Sequence, residues 1–297
     1  MIEMAAGVVQ ETASPKRPAL SGWLSTLTKP THVTGVVIVG VVVFCAIFAD
    51  LISPHDPILA DPHQRYLALF SPGHVLGTDE LGRDVLSRLI HGARFALFVA
   101  VAPTLIALVI GGLIGLMSGY VGGKIDAVIM RVFDVVFAFP GVLLALGIGA
   151  ALGAGMVSMI IAMVVVTIPE VGRLVRGSVL GEKEQPYVES ALTLGLGHFR
   201  TATLHVAPNV VSPLVVIGAL QTGKNVILAA SLSFLGLGVK PPTPDWGAML
   251  NGGRAALLSA PHVATLAGLA IVTLTVGFNL VGDAVRDHLD PRVRNNS

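Results

Sequence analysis

The chain has 297 residues, 53% of them hydrophobic and 12% charged, with a net charge of +1. That charged share is about half of what covers a soluble domain, so an ordinary soluble enzyme is excluded, and the charge balance gives no reason to expect nucleic-acid binding. A single cysteine, Cys45, excludes an internal disulfide and falls short of a zinc-type cysteine cluster.

Residues 1–32 are polar, carry Lys16, Arg17 and Lys29, and are expected as a partly disordered cytoplasmic segment at a membrane surface. The apolar run 33–52 has the length of a spanning helix. It is long for a signal peptide and no clear cleavage site follows, so it reads as a retained helix in which Cys45 is buried or faces lipid. Residues 53–94 form a polar extracytoplasmic loop with Pro54, Pro57, Pro62 and Pro72. It ends in Gly77-Thr78-Asp79-Glu80-Leu81-Gly82-Arg83-Asp84, where Thr78 or Asp79 suits a helix N-cap. Val85, Leu86, Leu89, Ile90 and Ala93 then share one face, which predicts a surface helix leading into the membrane.

Further spans are expected at 95–118, 132–152, 156–174, 210–235 and 263–284, giving six in all and a permease-sized core over 95–285. The 34 glycines and 18 prolines suit spanning helices. With both termini inside, twelve Lys and Arg fall in inner segments against six in outer ones. This places the termini, the tail 286–297 and the loop 175–209 in the cytoplasm. In that loop Pro186 suits a first helical position and Gly195 the position just past a helix end. Between them Tyr187, Val188, Ala191, Leu192 and Leu194 make an apolar stripe, with Glu189, Ser190 and Thr193 opposite. Such a helix packs on its own membrane domain or fills a groove in a partner.

Glu189-Ser190-Ala191, then Gly195 and Pro208, resembles the EAA loop of ATP-binding-cassette importer permeases. Gly77 to Asp84, Ser233-Phe234-Leu235-Gly236-Leu237-Gly238, Pro241 to Gly247, and the tail from Leu280 to Arg292 are similar to signatures of the dipeptide, oligopeptide and nickel permease family. The motifs run in the family's order from about residue 74 to 292, closest to the second of the two permeases such importers use. Ser190 stands for the usual Ala, Ala207 for the usual Leu, and Ala229-Ala230 where an acid is common. The resemblance implies an all-α, six-helix type I importer domain in a bacterial inner membrane, carrying di- or oligopeptides, or else glutathione or nickel. It also implies a homologous second permease, two ATP-binding subunits that hold the ATP and Mg²⁺, and an extracytoplasmic solute-binding protein. Tyr187, Val188, Glu189, Ser190, Ala191, Leu192, Gly195 and Pro208 would couple to the ATPase.

Gly218 to Asn225 nearly spells a phosphate-binding loop, but Asn225 stands where Ser or Thr must hold Mg²⁺ and the setting is a span. No cofactor is therefore expected in this chain. Lys224 lies mid-span, where a charge is costly: either it faces a pathway or a partner, or the helix bends or lies shallower and Lys224 snorkels or pairs structurally. With Gln221 and Asn225 it is a candidate for the translocation path, while inter-helix hydrogen bonding equally explains Gln221, Asn225 and Asn279. Pro140 and Pro169 are candidate kinks. His55, His63 and His74, with Asp56 and Asp61, have no standard metal spacing and read as solvated loop residues, so no metal is expected. A secondary transporter would show several intramembrane charges or repeated halves, and a scaffold would leave the EAA pattern unexplained.

Overall fold

The computed structural model describes residues 29–289. The surface segment expected over 1–32 therefore lies outside the described residues up to position 28, and so does the tail beyond 289. The helices are α1 (Pro30–Ile47), α2 (Val85–Val121), α3 (Gly123–Phe137), α4 (Gly141–Leu152), α5 (Met156–Lys183), α6 (Pro186–Thr193), α7 (Ala207–Phe234), α8 (Trp246–Gly253) and α9 (Pro261–Leu289). No strand is present among the described residues. Five helical runs are long and apolar enough to cross a membrane: α1, α2, α5, His198–Phe234 including α7, and α9. The pair α3 and α4, bent by 89°, makes a sixth if it counts as one broken span.

The third expected span, 132–152, is thus not a straight helix. Pro140 cannot continue the hydrogen-bond ladder and disfavours helical backbone at Phe139 before it, so α3 ends and α4 starts afresh. Pro169, by contrast, lies buried within an unbroken α5. The surface helix and second span are one 37-residue helix, α2. Its N-cap is Asp84, whose Oδ2 accepts from the Ser87 amide at 2.8 Å, and not Thr78 or Asp79. Those two close the preceding loop instead: Thr78 Oγ1 accepts from the Leu67 amide, and Asp79 Oδ1 accepts from the amides of Leu81 and Arg83.

This loop is a buried ion network at the head of α2. Asp79 Oδ2 lies 2.7 Å from Arg83 Nε and 3.3 Å from Arg88 Nε, while Arg83 also donates to Glu80 at 2.8 Å. Arg88 also donates to the Pro57 carbonyl, which fastens the proline-rich segment. Asp245 caps α8 by accepting from the Gly247 amide, and Trp246 Nε1 donates to the Leu89 carbonyl, so α8 docks on the same end.

At the opposite end Arg176 donates twice to Asp126, at 2.5 and 2.6 Å, and Lys183 Nζ donates to the Tyr120 carbonyl. Ser118 Oγ donates to the Asp126 carboxylate at 2.5 Å. Lys29 meets Asp287 at 2.5 Å, which brings the start of α1 to the end of α9. Exposed apolar side chains, among them Val37, Phe44, Leu105, Val109, Leu113 and Val272, form the surface expected against lipid.

Between these ends α2 and α5 share the closest helix contact. Gly111, Gly115 and Gly119, spaced by four, sit against Val171, Val175 and Val179. A Cβ on Gly115 would lie 2.5 Å from the Gly172 carbonyl oxygen and 2.9 Å from Val175 Cβ. Small residues at this spacing let two backbones approach where lipid gives no hydrophobic drive for association. Gly115→Ala should therefore lower the thermal midpoint of the detergent-purified protein, because overpacking of about 1–3 kcal/mol outweighs the gain in helix propensity. Gly112→Ala faces only Leu214 at 3.6 Å and should be neutral or stabilising. Equal midpoints for the two variants would refute a close-approach constraint at this seam.

Candidate functional site

The helix expected at 186–194 lies at the end of the bundle where α2 and α5 finish. Pro186 occupies its first turn, after an extended Gln185. At its other end Gly195 has φ +86, its amide donates to the Leu192 carbonyl at 3.0 Å, and Leu196 donates to Ala191 at 3.1 Å. This pair of bonds is a Schellman cap, and a side chain at the left-handed position would be strained. The same bond pattern closes α7 at Leu235-Gly236-Leu237.

The apolar stripe divides between the two sides of α6. Val188 and Ala191 are buried and Leu192 is half-buried, with Val188 packed among Val179, Ala202 and Val206. Tyr187 and Leu194 remain exposed, as do Glu189, Ser190, Thr193 and the nearby Phe199. Eight residues do not hold a helix alone, so half of the stripe anchors α6 to its own chain. Tyr187 adds a polar anchor: its hydroxyl donates to Glu182 at the end of α5 and accepts from Asn209 Nδ2 at 2.8 Å. Partial burial, and then the Glu182 carboxylate, push the Tyr187 phenol up, which keeps it a neutral donor. The Glu189 carboxylate has no partner among the described residues.

The loop 175–209 is shorter than expected. Arg176 does not end α5, which runs on to Lys183, and helix resumes at His198 in a turn, followed by a π-helical segment Ala202–Val206 that leads into α7. That wide turn precedes Pro208 and removes the clash its ring would make with a carbonyl four residues back. Under α6 lies an apolar groove of about 830 Å³ whose walls include Leu116, Tyr120, Val188, Leu192 and Phe199.

The three candidate pathway residues separate as well. Gln221 and Asn225 are buried, and Asn225 Nδ2 donates to Thr104 Oγ1 on α2 at 2.8 Å, an inter-helix role. Lys224 points to the surface and pairs with Glu170 on α5 at 2.9 Å, with 60% and 35% of the two side chains exposed. Glu170 is roughly 20 Å from either end of α5, at 1.5 Å per residue. It was legible beside Pro169 inside the fourth span and is missing from the sequence-derived site. One turn on, Arg173 pairs with Asp134 and lies 4.4 Å over the Phe137 ring, so a second ion pair continues this face. Gly218 to Asn225 run inside α7 with no loop to cradle a phosphate.

Residues 111–295 match the family described as binding-protein-dependent transport system inner membrane component, and residues 22–71 match the N-terminal TM domain of oligopeptide transport permease C. The chain is 40% identical over 281 residues to the glutathione transport system permease protein GsiD of Pectobacterium atrosepticum, across 95% of this chain and 93% of the relative. Identity is 44% over 264 residues to GsiD of Escherichia coli O157:H7, covering 88% and 86%. It is 39% over 285 residues to the di/tripeptide transport system permease protein DppC of Pseudomonas aeruginosa, covering 94% and 93%.

Gly195→Val should strain the cap by about 1–2 kcal/mol and speed amide exchange at residues 195 and 196. Gly197→Val has ordinary backbone angles and open space around it, and should leave exchange unchanged. Unaltered protection in Gly195→Val would show that the left-handed cap does not hold α6.

Proposed function

The chain belongs to the family of binding-protein-dependent transport system inner membrane components and is a multi-pass permease subunit of an ABC importer; from that premise we propose that its cargo is a short peptide and that α6 is its coupling element. Relatives named for glutathione and for di- and tripeptides support the cargo class. This permease would form half of the pathway with a homologous second permease, receive cargo from an extracytoplasmic binding protein, and be driven by two ATPase subunits that hold ATP and Mg²⁺. The observation that carries the coupling role is the outward face of α6, where Glu189, Ser190 and Leu194 stay exposed while the inward face is anchored.

The α6 end faces the cytoplasm in this reading. Lys29, Arg176, Lys183 and Arg286 gather toward that end, as cytoplasmic segments do. Docking of α6 into an ATPase groove would transmit nucleotide-driven motion to α5 and α7 through Tyr187, Glu182 and Asn209. Glu189→Ala should weaken the ATPase contact by roughly 1.5–3 kcal/mol if that carboxylate is desolvated in the complex. The variant should insert normally yet retain less ATPase on co-purification and transport more slowly. Full retention and full transport would reduce α6 to a connector.

The pair Lys224–Glu170 lines the pathway in this reading. Two charges at this depth cannot face hydrocarbon without a cost of several kcal/mol, so they face water or the second permease. Lys224→Met should cut transport at least tenfold while leaving ATPase co-purification intact, and exchanging the charges by Lys224→Glu with Glu170→Lys should restore part of it. Wild-type transport by Lys224→Met would place the pair outside the pathway.

A further inference from the structure

We propose that His55, His74 and Asp84 form a binding site for a divalent transition-metal ion of the zinc type, on the face opposite α6. The three come from separate stretches of the loop before α2, and their ligand atoms all lie within 4.8 Å of one another. Asp84 Oδ1 is 2.9 Å from His74 Nδ1 and 3.8 Å from His55 Nδ1, and the two imidazoles stack at 4.7 Å. Zinc–nitrogen bonds of about 2.0–2.1 Å in a tetrahedron set ligand separations near ~3.3 Å.

Hydrogen accounting is what calls for a cation here. Gln64 Nε2 donates to Asp61 Oδ2 at 2.9 Å, so Gln64 Oε1 is the atom facing His74 Nε2 at 2.8 Å. That oxygen only accepts, so Nε2 donates to it and Nδ1 is the ring nitrogen turned to Asp84. A proton or a metal ion must lie between that nitrogen and the carboxylate oxygen. His55 Nδ1 turns toward the same oxygen at 3.8 Å, beyond hydrogen-bond reach. A metal ion accounts for all three atoms.

The surroundings suit a ligand set rather than a solvated loop. Asp84 and His74 expose only 1% and 12% of their side chains, while His55 exposes 41% and leaves one side open for water or a fourth ligand. Asp84 Oδ2 accepts from the Ser87 amide and hydroxyl, which fixes the carboxylate and directs Oδ1 outward. His55 is held through its backbone amide to Ser87 Oγ at 3.1 Å. Partners of this kind orient metal ligands. Two imidazoles and one carboxylate favour zinc, nickel or copper over calcium or magnesium. Because Asp84 also caps α2, a bound ion would clamp the loop to the head of that helix.

The test uses the assembled importer purified without a polyhistidine tag, stripped with chelator and titrated with Zn²⁺ in excess Mg²⁺. One equivalent of Zn²⁺ should bind per copy of this chain and raise the thermal midpoint. His55→Asn, at an exposed position that leaves folding intact, should bind at least tenfold more weakly, and His74→Asn should lose that equivalent. Co²⁺ in place of Zn²⁺ should give the visible absorption of a low-coordinate site only in the wild type. Absence of the equivalent from the wild type, or equal Zn²⁺ affinity in wild type and His55→Asn, would overturn the proposal.

Discussion

Close approach of α2 and α5 is the constraint on which the other contacts depend. Lipid tails are as apolar as the side chains they meet, so burying leucine between spanning helices gains little over leaving it in hydrocarbon. Dispersion at short range, helped by polar clamps, must hold the pair. Gly111, Gly115 and Gly119 remove side chains over three successive turns, and Val171, Val175 and Val179 fill the space. With the two axes fixed, Tyr120 falls within reach of Lys183, and Ser118 and Arg176 converge on Asp126. At the other end the Asp79, Arg83 and Arg88 network closes over the head of α2.

The polar groups inside this apolar bundle divide by whether the chain itself satisfies them. Asn225 Nδ2 is satisfied by Thr104 in a buried bridge between α7 and α2, although Asn225 Oδ1 has no partner among the described residues. Lys224 and Glu170 pair on the surface of the chain, and Arg173 and Asp134 continue that surface. A paired but exposed charge has met its electrostatic need without meeting its need for hydration. That leftover demand makes the face one to be completed by water or by another subunit, and the flanking apolar surface has no such demand.

Hydropathy made the spans legible because a run of roughly 20 apolar residues has few other uses. Their ends were harder to read. Charge at Arg176 and Lys183 suggested a loop, yet a helix protruding beyond the hydrocarbon tolerates charge, so α5 continues to Lys183. Asp79 and Asp84 are equally good caps by residue type, and only the three-dimensional loop shows that Asp79 is engaged by Arg83 and Arg88. Pro140 and Pro169 look alike in sequence, but the first ends a helix and the second is carried through one. The glycine seam was missed, because Gly111, Gly115 and Gly119 acquire a role only against the valines of α5. His74 looked solvated because its partners Gln64 and Asp84 are each ten residues away and are brought to it only by the turn between.

The shape of α6 follows from the same physics at a smaller scale. A helix of eight residues pays the full cost of nucleation with few bonds to offset it, so it persists only if something outside it holds it. Three restraints do so here: Val188 and Ala191 in the apolar cluster, the Tyr187 hydroxyl between Glu182 and Asn209, and the cap at Gly195. All three act on the inward face or the ends. None uses Glu189, Ser190 or Leu194. A segment this short, held this firmly and left open on one side, gains nothing for the stability of its own chain from an exposed Leu194 beside an unpaired carboxylate. The outward face therefore has the composition of a contact surface, and its anchors run directly to α5 and α7, the helices that carry the Glu170–Lys224 pair.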